Sequence, residues 1–332
     1  MGLLINIDNG GTLTDICVMD GAQVYRTKTL TTPFDLSKCF FEGLVKVSSQ
    51  LYGKADIVSL LSSTDHIRYS TTQGTNALVE RKTVKVGLVL TAGHQDILVL
   101  REGPRKGAFQ WRLDYPEPYV PRHLTRTVAG RIDARGRIER PLDPAEAETV
   151  VRGLIAEGVE AIAICLLHAY ANPAHEAMLA DIVRRLAPDL PLSVSSEVLP
   201  EIKEYERTST AVINAYVMPI VARYLRSLRG GLDRAGVPAR LLLMQSNGGL
   251  MASEAATAKP MHIIESGPAG GVIGAQALAR AKNLPDIITF DMGGTTAKAG
   301  VILDGQVLTT TTAMVGGYNE GLPIQMPLVD VF

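Results

Sequence analysis

Apolar and polar residues follow two periods along the chain, one typical of strands and one typical of helices. Alternating or continuous apolar runs predict strands at 3–8, 15–19, 23–29, 84–90, 161–167, 192–195 and 241–245. Apolar residues three and four positions apart predict helices at about 36–51, 76–81, 145–157, 174–186, 201–229 and 272–281. Strands and helices that alternate in this order are typical of an α/β fold.

Local signals mark the ends of several helices. Asp35 is a suitable N-cap for the first long helix. The helix at 201–229 contains Pro219, where we expect a kink because proline cannot donate the interior hydrogen bond. Gly230-Gly231 is expected to terminate that helix.

One pattern occurs twice in the chain. Residues 5–15 read Ile-Asn-Ile-Asp-Asn-Gly-Gly-Thr-Leu-Thr-Asp, and residues 288–298 read Ile-Thr-Phe-Asp-Met-Gly-Gly-Thr-Thr-Ala-Lys. In each copy a strand runs into Asp-x-Gly-Gly-Thr, and a second apolar strand leads to an Asp-Gly pair. Two widely separated copies indicate two related lobes rather than a solenoid.

The Asp-x-Gly-Gly-Thr turns have the chemistry of a phosphate and metal site. Two glycines leave room for a ligand, and successive N–H groups in such a turn form an anion-binding concavity. The Thr hydroxyl can donate to a phosphate oxygen, and the Asp at the strand end offers oxygen to Mg²⁺. A single copy is equally well explained as an ordinary hairpin, but turn chemistry does not require the Asp and Thr to recur. Two copies therefore favour a clamp on one polyphosphate and its metal.

Length, charge and cysteine content fit an enzyme of the cytosol. The 332 residues are enough for about two domains. Lys and Arg number 33 and Asp and Glu number 34, which gives no electrostatic case for nucleic acid or an anionic membrane. The three cysteines lie far apart without metal spacing, so we expect reduced, buried thiols. The start of the chain does not read as a signal peptide, and no apolar run reaches the ~20 residues that span a bilayer.

Other loops are candidate parts of a site, each with a structural alternative. Thr72 and Asn76 follow a strand, where they either face an anion or cap the next helix. A Gly-rich stretch at 266–271 precedes a helix of small residues and either admits part of a nucleotide or lets that helix pack closely. Asn247 belongs either to a site loop or to a plain turn.

Three further polar residues have structural explanations at this stage. Glu204 and Arg207 are three positions apart on a predicted helix, which is typical of a surface pair. His168 lies at the end of a buried strand and is expected to be a structural histidine.

These motifs resemble the phosphate-binding hairpins of the superfamily that contains actin, sugar kinases and heat-shock-protein ATPases. More closely, the chain resembles the ATP-dependent hydantoinase/5-oxoprolinase family, specifically its A-type subunit. The resemblance covers essentially the whole chain, and its motifs lie at 8–15, 71–78, 164–173, 197–210, 245–251, 266–275 and 290–295.

The resemblance implies a fold and a division into domains. The implied fold is α/β: an actin-like ATPase (ribonuclease H-like) lobe with a mixed sheet, plus the beginning of a second such lobe. An N-terminal hydantoinase/oxoprolinase-type lobe would occupy 1–200, with a loop-rich excursion at about 101–144. Residues 201–332 would begin the A-type domain and leave it incomplete at the C-terminus.

The resemblance also implies ATP and Mg²⁺ as cofactors. Asp8 and Asp291 would hold the metal and, with Thr12, form the catalytic set. The nucleotide would be bound by Gly10, Gly11, Thr12, Thr14, Gly293, Gly294, Thr295, Lys298, Gly267, Gly270 and Gly271. Substrate contact is expected, with weaker support, at Thr72, Asn76, Arg207 and Asn247.

The implied activity is ATP-dependent opening of a cyclic amide, a hydantoin or a lactam, whose carbonyl is activated by phosphorylation. The implied partner is a B-type hydantoinase/oxoprolinase subunit, within a cytoplasmic oligomer. An ATP-dependent ketone carboxylase subunit, a small-metabolite kinase and a non-catalytic assembly fragment remain as alternatives.

The chain departs from the family pattern at two places. Ala297 and Lys298 stand where the first copy has Thr14 and Asp15, and Lys298 either binds a phosphate or forms a salt bridge with Asp15. The chain also stops at Phe332, where the family continues with a Gly-rich segment and the rest of the second lobe. We therefore expect either a fragment or a further chain that supplies the remainder.

Overall fold

The chain forms two compact units in the computed structural model, which describes residues 2–80, 84–102, 117–236, 240–292, 297–315 and 321–331. Unit 1 comprises Met1–Glu80, Ile220–Thr312 and Met326–Phe332. Unit 2 comprises Arg81–Pro219 and Ala313–Gln325. Each unit is therefore assembled from stretches that are distant in sequence.

A mixed sheet forms the centre of unit 1. Its strands are β1 (Leu3–Asn9), β2 (Leu13–Asp20), β3 (Gln23–Leu30), β4 (Thr64–Thr71), β11 (Arg240–Met244) and β12 (Leu250–Ala252). The spatial order is β12-β11-β4-β1-β2-β3, with β1, β2 and β3 antiparallel and with β4 and β11 parallel to β1. The mixed sheet confirms the predicted α/β, actin-like lobe.

Helices of unit 1 pack against this sheet and bury apolar side chains. These helices and their neighbours are α1 (Leu36–Tyr52), α2 (Ile57–Ser62), α3 (Gln73–Val79), α9 (Ser253–Ala258) and α10 (Ser266–Ala281). Helix α1 begins at the predicted cap, because the Asp35 side chain accepts a hydrogen bond from the Ser37 amide. Its apolar stripe, which includes Phe40 and Leu44, is fully buried and contacts β2 and β3.

The second copy of the repeat forms the same hairpin as the first. Strands β13 (Ile287–Met292), β14 (Ala297–Leu303) and β15 (Gln306–Val307) form an antiparallel sheet in that order. Asp291 is opposite Lys298 in β13 and β14, as Asp8 is opposite Asp15 in β1 and β2. The two hairpins therefore share one register, and the beginning of a second lobe is confirmed.

A parallel sheet forms the centre of unit 2. Its strands are β5 (Val86–Thr91), β6 (Thr125–Val128), β9 (Ala161–Cys165) and β10 (Leu192–Val194), in the order β10-β9-β5-β6. The helices of this unit are α4 (Ile97–Leu100), α5 (Pro144–Ala156), α6 (Ala174–Leu186) and α7 (Ser195–Val198). Every residue of β5 and β9 is buried, as expected for parallel strands that are covered on both faces.

The excursion expected at 101–144 is partly built into unit 2. Strand β6 extends the parallel sheet, and β7 (Arg131–Ile132) pairs with β8 (Ile138–Arg140). Residues 103–116 of the excursion lie outside the described residues. The last strands, β16 (Thr309–Val315) and β17 (Leu322–Val329), pair with each other.

The long helix does not end at Gly230-Gly231 as predicted. Helix α8 (Glu204–Arg234) continues through both glycines and through Pro219, where the compact units divide. A Cβ on Gly231 would overlap the Phe41 ring, so this glycine permits close packing rather than a helix end.

The compact units are assembled differently from the sequence-ordered domains at 1–200 and 201–332, which remain a prediction. Strand β11 lies late in the chain but pairs with β4, and this buries Leu241 and Leu243. Tertiary packing, rather than chain order, thus determines which segments fold together. Among the described helices, none is both long and apolar enough to cross a membrane.

Candidate functional site

Asp8 lies at the end of β1 among other polar groups of unit 1. Asp15 on β2 and Ser70 on β4 are its register partners, and Ser70 Oγ donates a 2.6 Å hydrogen bond to Asp8 Oδ1. The Asp8 side chain remains exposed to solvent on one side, but the protein around its carboxylate desolvates it and raises its pKa. The hydrogen bond from Ser70 lowers this pKa, and the negative charges of Asp15 and Asp291 raise it. The described structure therefore places Asp291, from the second copy, within electrostatic reach of Asp8.

Hydrogen bonds from Thr31 fix the first Gly-Gly-Thr turn, and the other side of the turn is exposed to solvent. Thr31 donates from its hydroxyl to the Gly10 carbonyl at 2.8 Å and from its amide to the Thr12 carbonyl at 3.0 Å. Gly11 and Thr12 are exposed. Thr14, in contrast, is fully buried, and its Oγ1 accepts from Asn9 Nδ2 at 2.7 Å. The turn is thus available to a ligand, whereas Thr14 supports the hairpin and its predicted phosphate contact gains no support from this geometry.

Two of the other predicted loops meet the first turn. A Cβ on Gly267, in the first turn of α10, would lie 3.3 Å from Asp8 Oδ1 and 3.7 Å from Thr72 Cγ2. A Cβ on Gly11 would lie 3.6 Å from Asn76 Nδ2. The fold therefore gathers the first turn, the Thr72–Asn76 loop and the start of α10 around one carboxylate.

The N-terminal end of α10 is fixed to the strand-to-helix loop. Ser266 Oγ accepts from the Thr71 amide and donates to the Thr71 carbonyl, both at 3.3 Å. Thr75 Oγ1 also donates to the Ile264 carbonyl. These bonds hold the start of a long helix, with its free N–H groups, beside Asp8.

Lys298 does not form the salt bridge with Asp15 that we considered from the sequence. Its ammonium group pairs with Glu265, the residue before α10, whereas Asp15 pairs with Lys28 at 3.1 Å. Lys298 and Asp15 each have a nearer partner of opposite charge, which explains the difference. Gly293, Gly294 and Thr295 lie outside the described residues.

Two cavities of unit 1 each contain one of the paired aspartates. The larger, about 550 Å³, lies on the open face of the sheet; its polar lining includes Asp8, Asp15, Arg26, Lys28, Arg68 and Ser70. The smaller, about 270 Å³, lies between α10 and the second hairpin and is lined by Gly271, Asp291 and Lys298 among others. Gly270 is on the side of α10 that faces Met244, where a Cβ would lie 3.6 Å from its Cε in ordinary contact.

Two residues that were predicted to contact substrate do not lie with the loops around Asp8. Asn247 Oδ1 accepts from the Gly249 amide at 2.8 Å, so the residue stabilises the turn between β11 and β12. Arg207 belongs to unit 2 and is 0% exposed. The predicted pair with Glu204 forms at 4.0 Å, but Arg207 is not at the surface, because helix α8 is covered by its unit on that side.

Sequence reasoning did not select Ser70, Asp15 or Glu265 as site residues. Ser70 and Asp15 are opposite Asp8 on the neighbouring strands. The alternation of side chains along β2 and β4 shows which residues of each strand share a face. It does not show which of them lie opposite Asp8, because that register is set by strand pairing. Glu265 has no sequence signal that links it to Lys298, 33 residues away.

Asp8 and Asp291 are suitable ligands for Mg²⁺. Carboxylates that repel one another gain from a divalent cation between them, and repulsion by Asp291 contributes to the raised pKa of Asp8. Within the described residues, no three His, Cys, Asp or Glu side chains form a metal cage. One or two carboxylates, completed by phosphate oxygens and water, are the usual protein share of a Mg²⁺ site.

Comparison with known proteins agrees with this geometry. Residues 4–187 match the hydantoinase/oxoprolinase N-terminal region, and residues 207–331 match the hydantoinase/oxoprolinase family model. The caprolactamase alpha subunit of Pseudomonas jessenii is 32% identical over 96% of this chain and 46% of that subunit. The 5-oxoprolinase of Saccharomyces cerevisiae is 31% identical over 98% of this chain and 27% of that enzyme. The chain thus spans about half or less of these relatives.

A solved structure shows the same fold. The nucleotide-free structure of acetone carboxylase has a TM-score of 0.86 and 28% identity, over 100% of this chain and 48% of that chain. The chain belongs to the hydantoinase/oxoprolinase family, as the two family matches show and as the paired hairpins and the strand order of unit 1 lead us to expect.

Proposed function

We propose that this chain is part of an ATP-dependent enzyme that phosphorylates the carbonyl of a cyclic amide, a hydantoin or a lactam, for hydrolytic ring opening. The observation that carries the proposal is the pair of hairpins in one register, whose aspartates interact electrostatically. An ordinary structural hairpin would not place a second carboxylate near the first, because like charges destabilise the fold.

In this proposal Asp8 and Asp291 hold Mg²⁺. Phosphate groups are bound by the backbone N–H groups of Gly10, Gly11 and Thr12 and of Gly293, Gly294 and Thr295, of which the second set lies outside the described residues. The start of α10 at Gly267 offers further N–H groups beside Asp8. Lys298 adds a point charge for phosphate once it is released from Glu265.

The chemistry needs positioning and charge neutralisation more than it needs a nucleophilic side chain. Bound Mg·ATP supplies a phosphoryl group for the carbonyl oxygen of a resonance-stabilised amide. The chain contributes donors fixed before the reaction, since hydrogen bonds from Thr31 hold the first turn and Ser266 holds α10. The ring-opening step is assigned to a B-type partner subunit.

Turnover measurements test this function. Phosphate release from Mg·ATP is measured for the protein, alone and with a B-type subunit, in the presence of lactams or hydantoins. We expect release that depends on the cyclic amide, and a loss of about a hundredfold or more in Asp8→Asn. Asp181→Asn is the matched control, since its side chain is 79% exposed in unit 2. Amide-independent turnover, or an active Asp8→Asn variant, would contradict the proposal.

A ketone carboxylase is the second candidate, because the acetone carboxylase structure superposes on the whole of this chain. The same assay with a ketone and bicarbonate separates the two functions. Carboxylated product and no lactam hydrolysis would replace the first proposal by this one.

A further inference from the structure

The larger cavity of unit 1 is lined by two rows of polar side chains that cross the open face of the sheet. Side chains alternate along a strand, so every second residue of β1, β2, β3 and β4 points to this face. Strand pairing aligns four side chains in each row: Ser70, Asp8, Asp15 and Lys28 in the first, and Arg68, Asn6, Cys17 and Arg26 in the second. The rows are two residues apart along each strand, which is about 7 Å. The cavity thus extends from the carboxylates of the first row to a second row that has none.

The charges of the cavity are not balanced. In the first row Lys28 pairs with Asp15 at 3.1 Å, and Ser70 donates to Asp8 at 2.6 Å. The second row adds Arg26 and Arg68. The described lining residues therefore include three cations and two carboxylates, and the excess positive charge lies in the second row.

Arg68 is the cation of this row that needs an acceptor. Its Nε is buried, and no described residue accepts a hydrogen bond from it. A guanidinium keeps its proton and has no acceptor of its own, and a buried donor without an acceptor is unfavourable, more so when it is charged. Arg26 is exposed, so water satisfies and screens its charge. An acceptor from a ligand in the cavity would remove the unfavourable state of Arg68.

A carboxylate is the acceptor that fits Arg68 best. The planar guanidinium fork donates from Nε and one Nη to the two oxygens of a carboxylate. Asn6, the register partner of Arg68, can add an amide donor. A monoanion balances the single excess positive charge, whereas a dianion would leave a negative excess beside Asp8 and Asp15.

We propose that the second row of this cavity binds a small organic monocarboxylate, whose two oxygens accept from Arg68. Met244 lines the same cavity and offers apolar contact to the carbon chain of such a ligand. The volume of about 550 Å³ is within the range of small-molecule pockets. Carboxylate binding at Arg68 does not depend on the proposed function, because it uses neither the phosphate-binding turns nor a nucleotide.

Ligand-observed NMR titration of the whole chain without nucleotide tests this site. The probes are propionate and propionamide, which have nearly the same shape and differ in charge. We expect propionate to bind at least about tenfold more tightly, since hydrogen bonds between two charged groups are the stronger ones. Inorganic phosphate at equal concentration should not displace propionate. Equal binding of the two probes, no binding of propionate, or its displacement by phosphate, as expected for binding at the phosphate turns, would overturn the inference.

Three variants locate the binding. Arg68→Gln removes the charge and should weaken propionate binding at least about tenfold. Arg68→Lys keeps the charge but loses the fork, and it should weaken binding nearly as much. Arg240→Gln is the matched control, because Arg240 is exposed on the neighbouring strand β11 and does not line the cavity. Its binding of propionate should be unchanged.

Unchanged binding in both Arg68 variants, or an equal loss in Arg240→Gln, would show that propionate binds elsewhere and would overturn the inference. If circular dichroism shows that the Arg68 variants are misfolded, the comparison of propionate with propionamide and the phosphate competition on the unaltered chain still decide. Nucleotide is absent from every titration, so a failure of Mg·ATP binding, which would defeat the proposed function, leaves these results unaffected.

Discussion

Asp8 has a carboxylate whose charge is unfavourable in the protein without a ligand. Burial and the charges of Asp15 and Asp291 raise its pKa, and the hydrogen bond from Ser70 offsets only part of that effect. A raised pKa means that the folded protein prefers the protonated form more than the unfolded chain does. The contribution of Asp8 to stability is therefore full below its unfolded pKa and is lost as the pH rises through the folded pKa.

The pH dependence of an Asp8→Asn variant checks this sign. We expect the variant to have a higher Tm than the unaltered protein near pH 7, and the difference to disappear below about pH 4, where an ordinary aspartate is protonated. The introduced amide would retain an oxygen acceptor for Ser70, so the change removes charge and little else. Asp20→Asn, at the exposed end of β2, is the control. A variant that is less stable at neutral pH would contradict the interpretation.

Arg207 and Thr14 show where residue type alone is a poor guide. Both were predicted to contact ligands, and both are fully buried with hydrogen bonds to their own unit. Gly11 and Thr12 of the first turn are exposed, so their assignment to a ligand site stays a prediction. The burial of a polar side chain depends on which elements cover it, and local sequence does not contain that information.

Helix α8 contains two adjacent glycines with different environments. A Cβ on Gly230 would find only the flexible end of Arg234, 3.6 Å away, whereas a Cβ on Gly231 would overlap the Phe41 ring. Helix propensity is the same at both glycines. The difference between their surroundings therefore arises from the packing of α8 on α1.

Alanine substitutions at the two glycines measure this difference. Gly230→Ala should raise the free energy of unfolding by about 0.5–1 kcal/mol, because alanine favours the helix. Gly231→Ala should lower it by about 1–3 kcal/mol, since overpacking outweighs the same gain in propensity. Urea denaturation monitored by circular dichroism gives both values. A stabilised Gly231→Ala protein would show that Phe41 moves aside without cost.

The two hairpins of the repeat differ in what covers them. Ile7 and Phe290 are equivalent positions, each one residue before the repeated aspartate near the end of the first strand. Ile7 is 2% exposed, whereas Phe290 is 69% exposed. Equivalent strands thus have a buried face in one copy and a solvent-exposed face in the other, within the described chain.

Threonine substitutions at this matched pair separate hairpin formation from burial. Ile7→Thr should cost about 2–3 kcal/mol of unfolding free energy, because it removes apolar volume and buries a hydroxyl. Phe290→Thr should change it by no more than about 0.5 kcal/mol, as is usual for exposed positions. Chemical denaturation of the two variants gives the comparison, and similar losses in both would mean that Phe290 is covered in solution.

The whole chain folds by combining segments that are distant in sequence. Unit 1 takes residues from three stretches and unit 2 from two. The parallel pair of β4 and β11 joins the first hundred residues to the second half of the chain. Long-range pairing of this kind makes each unit depend on both halves of the sequence.

Expression of the chain in two pieces tests this dependence. Residues 1–200 and 201–332, made separately, should each lack a cooperative thermal transition, because the cut divides both units. The first piece lacks β11 of unit 1 and the part of α8 that belongs to unit 2, and the second piece lacks β4. Coexpression should restore one. Circular dichroism and amide dispersion in NMR spectra provide the measurement. A cooperatively folded 1–200 fragment would instead support the sequence-ordered domains that we expected.

The sequence alone determined the α/β class, most strand positions, the cap at Asp35 and the paired Asp-x-Gly-Gly-Thr turns, since period and turn chemistry are local properties. It also carried the resemblance to the family. Tertiary structure alone decided that the Thr72–Asn76 loop and Gly267 meet Asp8, that Lys298 pairs with Glu265, and that Thr14 and Arg207 are buried. These contacts depend on strand order and helix packing, which bring together residues that no periodic pattern connects.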